Sequence, residues 1–276
     1  MRKHATRVGR QYHIGCMKGD LAEILIVPGD PDRVPKIAKQ WGSRREISSR
    51  REFRSFTGEF KGVPVSALSS GIGPACMSIV VNEASNIGVK TFIRVGSTGA
   101  IQKNIRCGDV VISSAAVRLD GTSNCYIVPE YPASADYEAL MALVEAAEVL
   151  GIERYHVGVT ATTADFYAGQ NRTTVASCLP FSSDMCGMLQ KARVLNLEME
   201  TATLFTLASL YGLRAGSVCA VFGNRITGEL KPGAGEEEAI RIVNEAVKIL
   251  SEWDSVKKRR RKRWFFPSML RGAQLG

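Results

Sequence analysis

The chain has 276 residues, of which 45% are hydrophobic and 23% are charged, and its formal net charge is +9. These values are ordinary for globular proteins, and the length fits one large domain or two small ones. No apolar run approaches the ~20 residues that a membrane-spanning helix needs, so we expect no membrane partner. The first 15 residues are basic and contain no apolar stretch of the kind found in secretory signals, whereas a transit peptide stays open.

Short apolar runs alternate along the chain with segments of helical periodicity. Strands are predicted at 21–27, 64–68, 89–95, 109–113 and 216–222, and helices at 75–87, 138–150, 199–211 and 236–253. The last helix opens with three glutamates, which suit the positive end of a helix dipole. This alternation predicts an α/β fold with a largely parallel or mixed sheet.

The seven cysteines are scattered and form no CxxC pair. Their odd number argues against a disulfide framework or a structural zinc site and favours a reducing cytoplasm. The chain has three histidines, and no two of them have the spacing typical of metal ligands. This pattern argues against a histidine-based metal site.

The positive charge is concentrated at the C-terminus. Eight of the 36 basic residues lie at 257–263 and at Arg271, and no acidic residue follows Asp254. Without these eight, 28 basic side chains face 27 acidic ones. The body of the protein is therefore expected to be nearly neutral, with a local basic extension.

Glycine-containing loops follow two of the predicted strands. The sequence "VPGDPDR" (27–33) contains Gly29 and Arg33, and "RVGSTGA" (94–100) contains Arg94 and Ser97. Glycine lets backbone N–H groups approach an anion, and arginine can hold a phosphate through two parallel hydrogen bonds. Simple turns would explain either loop alone, but the pair predicts a phosphate site. The glycines of "SGIGPAC" (70–76) lack the third glycine of a dinucleotide fingerprint, so we interpret them as close backbone packing or as the wall of another site.

Two further stretches combine side chains that suit a nucleoside-like ligand. "ATTADFYAGQNR" (161–172) carries an aromatic ring, an amide and a guanidinium, whereas a plain turn needs only its glycine. Such a set indicates a planar ligand with hydrogen-bonding edges. "NLEMETATLF" (196–205) places Glu198 and Glu200 at the start of an apolar helix. They are interpreted either as acids favoured by the helix dipole or as a carboxylate that accepts from a sugar diol.

Taken together, the motifs resemble the uridine-cleaving branch of the hexameric nucleoside phosphorylase family. The ordered set is "YHIG" (12–15), "PGDPDR" (28–33), "SRREF" (49–53), "IRVGSTGAIQ" (93–102), "VRLDG" (117–121), "GVTATTADFYAGQNR" (158–172), "EMETATL" (198–204) and "GNR" (223–225). The resemblance covers about residues 10–253 and implies one α/β domain with a central mixed, partly barrel-like β-sheet flanked by helices. We accordingly divide the chain into an N-terminal extension (1–11), a nucleoside phosphorylase domain (12–253) and a basic C-terminal extension (254–276).

The resemblance also implies residue roles. Phosphate would be bound by Gly29, Arg33, Arg94 and Ser97, with Arg51 from a neighbouring subunit. Ribose would be bound by Met199 and Glu200, with His13 from the neighbour, and the base by Phe166, Gln170, Arg172 and Arg225. The catalytic residues would be Arg94, Arg172 and Glu200.

The implied reaction is the reversible phosphorolysis of uridine to uracil and ribose 1-phosphate, in a cytoplasmic homohexamer built as a trimer of dimers. Inorganic phosphate would be a co-substrate, and no cofactor is expected. The family's potassium site would fall at Glu52 and Ile72, but Cys76 stands where a serine is expected. Purine-type relatives carry an aspartate near "GNR" (223–225), and its absence favours a pyrimidine. The segment 173–190 departs from the family and leaves the exact base preference open.

Three alternatives stay open. A nucleosidase of the same fold would use water in place of phosphate and would have no use for the three predicted phosphate arginines, and a purine nucleoside phosphorylase would differ in base preference. A nucleic-acid-binding protein could act through "KKRRRKRWFF" (257–266), whose basic residues would pair with phosphates while the aromatic rings stack on bases.

Overall fold

The computed structural model describes residues 9–172 and 184–270. The strands are β1 (Ile24–Pro28), β2 (Ser43–Arg50), β3 (Phe53–Phe60), β4 (Val63–Leu68), β5 (Thr91–Ala100), β6 (Val110–Leu119), β7 (Ala133–Ser134), β8 (Tyr155–Thr163), β9 (Asn196–Glu198) and β10 (Arg214–Asn224). The helices are α1 (Arg33–Ala38), α2 (Pro74–Asn86), α3 (Tyr137–Val149), α4 (Met185–Lys191), α5 (Thr201–Leu210) and α6 (Glu236–Arg260). Short 3-10 turns lie at Thr122–Cys125, Ala168–Gln170 and Pro267–Leu270. No helix within these two ranges is long and apolar enough to cross a membrane.

All ten strands belong to one mixed sheet, part of which closes on itself. β5 pairs in parallel with β10, and β10 leads through β6, β8 and β9 back to β5, so that five strands form a barrel. β1 also pairs in parallel with β5 and continues the sheet outwards through β4, β3 and β2. The predicted single α/β domain with a mixed, partly barrel-like sheet is confirmed.

β5 lies at the centre of the fold because both of its faces are buried. Successive strand residues point to opposite faces. Ile93 and Val95 pack in a cluster with α1, α3 and α6, whereas Phe92 packs in a second cluster with α2 and α5. Helices on both faces explain why β1 and β5 are apolar along their first halves, since parallel strands covered on both sides need no polar face.

One predicted turn was wrong. We expected a glycine-rich turn after residue 95, but β5 continues through Gly96–Ala100 because β10 pairs with it as far as Asn224. Ser97 and Thr98 are therefore strand residues on opposite faces. Thr98 is buried and donates to the Leu197 carbonyl (2.7 Å), and Ser97 is exposed.

The C-terminal extension packs against the domain. The predicted division between residues 253 and 254 falls inside α6, which runs on to Arg260. Beyond the helix, the ring of Phe265 stacks on Trp253 with 4.1 Å between centroids, and Met269 is buried in the same cluster. The backbone N–H of Phe265 also donates to the carboxylate of Glu138 (2.8 Å), and Glu138 is only 1% exposed.

This packing predicts that two neighbouring lysines, Lys257 and Lys258, contribute very differently to the stability of the fold. Lys257 donates to Glu138 (2.5 Å) and pairs with Asp254 (2.9 Å), whereas Lys258 is exposed. Lys257→Met should lower the free energy of unfolding by roughly 1.5–3 kcal/mol, because a buried carboxylate loses a charged donor. Lys258→Met is the matched control and should change it by less than about 0.5 kcal/mol. Urea unfolding of both variants measures this, and equal losses would contradict the assigned role of Lys257.

Candidate active site

The loops that follow β1 and β4 lie against each other. The Pro28 carbonyl accepts from the Ser70 N–H (2.8 Å), and the Gly29 carbonyl accepts from the Gly71 N–H (2.9 Å). A Cβ atom on Gly29 would lie 3.2 Å from the Gly71 carbonyl oxygen, which is tighter than most real contacts. Glycine at position 29 therefore permits this close approach of two backbones.

Arg33 is the first residue of α1 and is almost fully buried. It donates to the Val95 carbonyl (3.2 Å) and pairs with Glu236 (3.2 Å), the first residue of α6. Burial raises the pKa of Glu236, but hydrogen bonds and charges from Lys36 and Arg33 outweigh this and lower that pKa. The Arg33 Nε atom is buried and has no hydrogen-bond partner in the described part of the chain. One donor of Arg33 is thus still available to an anion.

Arg94 is 3% exposed and lies between two buried carboxylates. Its Nε donates to Glu198 (3.0 Å), and its Nη2 pairs with Glu200 (2.5 Å). Burial alone would lower the pKa of Arg94, but the charges of Glu200 and Glu198 outweigh it and raise that pKa. Its Nη1 is buried without a partner among residues 9–172 and 184–270. Arg94 is therefore a charged, fixed fork with one free donor.

Glu198 and Glu200 have different hydrogen-bond partners. The structure therefore distinguishes the roles of two acids that could not be distinguished from the sequence. Glu198 accepts from the Thr162 hydroxyl (2.5 Å) and from the backbone N–H groups of Glu200 (2.9 Å) and Thr201 (3.0 Å). Together with Arg94, these donors saturate Glu198, so its role is to position Arg94. The Arg94–Glu198 pair spans 104 residues, so no local sequence pattern indicates it, and the family resemblance implied a role only for Glu200.

Glu200 has fewer partners and faces the glycine loop after β4. Its carboxylate accepts from the Gly73 N–H (2.6 Å) and from Arg94. Burial raises the pKa of Glu200, while the charge of Arg94 opposes this rise. Gly73 has a φ of +95°, and a Cβ there would lie 3.9 Å from the Met199 methyl group. Gly73 therefore lies beside Glu200 and Met199, as expected if "SGIGPAC" forms the wall of another site.

A second arginine pair lies beside the other half of β5. Both Arg172 and Arg225 approach Gly99, at 3.8 Å and 3.7 Å from the position that a Cβ atom would occupy. Burial lowers the pKa of Arg172, and the nearby charge of Arg225 lowers it further. Arg172 Nε and Arg225 Nη1 are buried without hydrogen-bond partners among the described residues. Two like charges held together with free donors indicate a site for electron-rich acceptor atoms.

The loop after β8 supplies the remaining groups of this pocket. The guanidinium carbon of Arg172 lies 4.1 Å from the centroid of the Phe166 ring, and Phe166 is 45% exposed. Gln170 is buried in a 3-10 turn and donates its amide to the Thr163 hydroxyl (3.0 Å). The structure thus brings Phe166, Gln170, Arg172 and Arg225 together. Residues 173–183 of the divergent segment lie outside the described residues.

Arg51 and His13 are apart from these groups. Arg51 is exposed in the turn between β2 and β3, with a φ of +54°. The His13 ring and its backbone N–H both contact the carboxylate of Glu83 (2.6 and 3.0 Å). In the described ranges, neither residue forms a hydrogen bond or ion pair with Arg94 or Glu200. Their predicted roles require a second copy of the chain and stay predictions.

One side chain at the predicted potassium site, the Cys76 thiol, does not suit the ion. Glu52 packs beneath Gly71, and its carboxylate lies 3.5 Å from the Cys76 thiol. Oxygen atoms are the ligands that hard cations prefer, and a thiol is a soft donor. Ile72 is exposed beside them. Glu52 could hold a cation, whereas Cys76 could not replace a serine hydroxyl.

Comparison with known proteins identifies the family. Residues 23–252 match the model of the phosphorylase superfamily. The chain therefore belongs to this superfamily. It is 54% identical to the uridine phosphorylase of Thermococcus kodakarensis over 96% of this chain and 95% of that protein. It is 45% identical to the uridine phosphorylase of Escherichia coli K12, over 87% and 97% of the two chains, and 36% identical to the guanosine phosphorylase of Halorubrum lacusprofundi, over 88% and 100%.

Proposed function

We propose that the protein is an enzyme, a uridine phosphorylase, that converts uridine and inorganic phosphate reversibly to uracil and ribose 1-phosphate. The observation that carries this proposal is the division of the buried arginines along β5. Among the described residues, Arg33 and Arg94 have donors without partners near one part of the strand, and Arg172 and Arg225 have them near Gly99. Positions 94 and 99 are about 16 Å apart, because a β-strand advances by roughly 3.3 Å per residue. One pair suits a phosphate, and the other suits a carbonyl-rich base.

On the phosphate side, the co-substrate would lie against Arg33 and Arg94, with the Gly29 backbone and the Ser97 hydroxyl beside it. A phosphate oxygen attacks C1′ of the ribose while the bond from C1′ to the base nitrogen breaks, and that bond's electron pair leaves with uracil. The ribose acquires oxocarbenium character, which the adjacent phosphate anion stabilises. This direct displacement needs neither a metal ion nor a covalent intermediate on the protein.

Between the two arginine pairs, Glu200 and Met199 would hold the ribose. The Glu200 carboxylate is fixed by the Gly73 N–H and by Arg94. It can accept hydrogen bonds from the 2′- and 3′-hydroxyl groups, and the Met199 thioether would pack beneath the sugar ring. Because Arg94 contacts both Glu200 and the proposed phosphate position, one guanidinium would set the distance between nucleophile and ribose.

On the base side, Gln170 and the two arginines match the edge of uracil. An amide can accept from N3–H and donate to a carbonyl oxygen, and arginine donates to carbonyl oxygens. One face of Phe166 is occupied by Arg172. The partial exposure of this ring leaves its other face for stacking by the base. Arg172 would also stabilise the negative charge that uracil gains as it departs, which is stronger binding in the transition state than in the substrate.

The test is a panel of uridine, thymidine, cytidine, inosine, guanosine and adenosine, each assayed with and without phosphate. We expect cleavage of uridine in the presence of phosphate, with ribose 1-phosphate as the product. Ribose formed without phosphate would indicate a nucleosidase instead. Faster cleavage of guanosine or inosine than of uridine would indicate a purine nucleoside phosphorylase.

A complete site would also need a neighbouring subunit. We propose a homohexamer, a trimer of dimers, in which Arg51 reaches the neighbour's phosphate and His13 reaches its ribose. Its cytoplasmic location is proposed from the odd number and scattered positions of the cysteines in the sequence. A potassium ion near Glu52 and Ile72 is a further, weaker proposal, since the nearby Cys76 thiol is a poor ligand.

Subunit mixing tests the shared site. After verified exchange, inactive His13→Ala subunits mixed with inactive Arg94→Lys subunits should recover activity in about a quarter of the sites, because each mixed dimer regains one complete site. The matched control mixes His13→Ala with the double variant His13→Ala, Arg94→Lys, in which no site is complete. Activity equal to that of this control would show that His13 does not act across the interface.

A further inference from the structure

The basic run at residues 258–263, called here the basic strip, is the densest positive charge in the sequence. Lys257 is bound by Glu138 and Asp254. The six basic residues that follow are exposed, and none has an ion-pair partner among the residues that the structure describes. The strip carries six of the nine excess positive charges of the chain, since 30 basic residues face 27 acidic ones without it. Such a concentration attracts polyanions.

Helix capping explains only part of the basic strip. Cationic side chains stabilise the last turn of a helix through its dipole, and Lys258, Arg259 and Arg260 belong to the last turn of α6. The run continues through Arg261 and as far as Arg263, beyond the end of the helix. The dipole effect falls off within one turn, so these residues need another explanation.

The segment that follows the strip is held in place and carries exposed aromatic rings. The buried Phe265 and Met269 anchor the segment on both sides of Phe266. Trp264 is 52% and Phe266 is 42% exposed, and the Arg263 guanidinium lies over the Trp264 ring. Fixed aromatic faces next to a run of cations are a combination by which proteins bind single-stranded nucleic acid.

A groove connects the strip to the body of the protein, at the end of the sheet away from the candidate active site. It has a volume of about 660 Å³ and is lined by Ile24, Thr91 and Arg214, the first residues of β1, β5 and β10. Lys90 and Lys258 also line it. Its acidic lining residues are already paired, Glu23 with Lys90 (2.6 Å) and Asp254 with Arg214 (2.7 Å).

From these features we propose that the basic strip, Trp264 and the adjoining groove form a binding surface for single-stranded nucleic acid. Lysine and arginine side chains contact successive phosphates, Trp264 stacks on a base, and the strand enters the groove between Lys258 and Lys90. A concave groove fits a strand better than it fits the flat surface of a lipid bilayer. The surface lies at the opposite ends of β1, β5 and β10 from the candidate active site, so both can be occupied together.

The test uses the full-length protein and a fluorescein-labelled 20-nucleotide oligocytidine RNA, which contains no uracil. Fluorescence anisotropy is recorded from 50 to 200 mM salt. The DNA oligomer of the same sequence and a double-stranded oligomer are measured in the same way. The variant R259Q/R260Q/R263Q should make the slope of log affinity against log salt shallower by about 2, since each lost phosphate contact removes roughly 0.7. The control variant K18Q/R45Q/K103Q removes three exposed charges elsewhere and should leave the slope unchanged.

Trp264→Ala should weaken binding by about 5- to 100-fold with an unchanged salt slope, and Trp264→Phe should retain most of the affinity. Thermal melting and uridine cleavage, where present, should be unaffected in every variant. Absence of saturable binding at 50 mM salt, or equal losses in the control variant, would overturn the proposal. So would tight sedimentation with phosphatidylserine vesicles and no RNA binding, which would assign the strip to a lipid surface.

Discussion

Arg94→Ala is expected to lower kcat/KM for phosphorolysis by at least two orders of magnitude. A hydrogen bond to a charged group contributes roughly 1.5–3 kcal/mol, which corresponds to about one to two decades for phosphate binding alone. A further loss follows because Arg94 also fixes Glu200, the proposed ribose ligand. Initial rates at varied phosphate measure both effects, as a raised KM for phosphate and a lowered kcat.

The same substitution should destabilise the fold. Glu198 and Glu200 would lose their shared cation inside the protein, and breaking a buried ion pair costs about 3–5 kcal/mol. Arg94→Lys separates the two consequences, since lysine keeps the charge but cannot form the planar fork that reaches both carboxylates and a phosphate. We expect this variant to be more stable than Arg94→Ala and still strongly impaired. An unchanged dependence on phosphate in Arg94→Lys would remove Arg94 from the phosphate site.

Arg172→Ala should slow uridine cleavage by one to several decades and should slow 5-fluorouridine less. Fluorine makes uracil a better leaving group at little steric cost, so that substrate needs less stabilisation of the departing charge. The Arg172 Nε atom is buried without a hydrogen-bond partner in the described part of the chain, and Arg172 lies beside Arg225, an arrangement that favours a developing anion. The measurement is kcat for both substrates in the wild type and the variant.

Gln170→Ala is the matched control in the same loop. It should reduce discrimination between bases by roughly one to several decades, because the uracil edge loses its partners in a desolvated pocket, and unpaired groups there cost about 1–3 kcal/mol each. Its effect should be similar for uridine and 5-fluorouridine. If Arg172→Ala lowers kcat for uridine and 5-fluorouridine by the same factor, Arg172 only positions the base. Stabilisation of the leaving group would then be assigned to Arg225 or to water.

The elements that the sequence predicted well are those that bury an apolar face. The helix predicted at 75–87 is observed at Pro74–Asn86, and the strand predicted at 64–68 at Val63–Leu68. The hairpin of β2 and β3 was not predicted, because β2 reads "SRREISSR" and is largely exposed. β8 was missed because Gly158 and several threonines interrupt its apolar pattern. In both cases strand pairing stabilises a segment whose own composition does not indicate a strand.

Within the candidate site, local motifs located the arginines but not their partners. The glycine–arginine pattern indicated Arg33 and Arg94 as neighbours, and Arg33 donates to the carbonyl of Val95, the residue after Arg94. The separate tasks of Glu198 and Glu200 could not be read from a sequence in which both precede a helix. The approach of Arg172 to Arg225 depends on Gly99, a third segment distant in the chain from both.

The region proposed for phosphate contains equal numbers of opposite charges before any substrate arrives. Arg33, Lys36 and Arg94 are matched by Glu236, Glu198 and Glu200. An incoming dianion therefore meets a charge-balanced region in which its attraction is local and directional, confined to the few N–H groups that have no partner within residues 9–172 and 184–270. Such a region restrains affinity for phosphate and for ribose 1-phosphate alike. Moderate retention of phosphate and of ribose 1-phosphate would favour fast release of whichever of the two is the product.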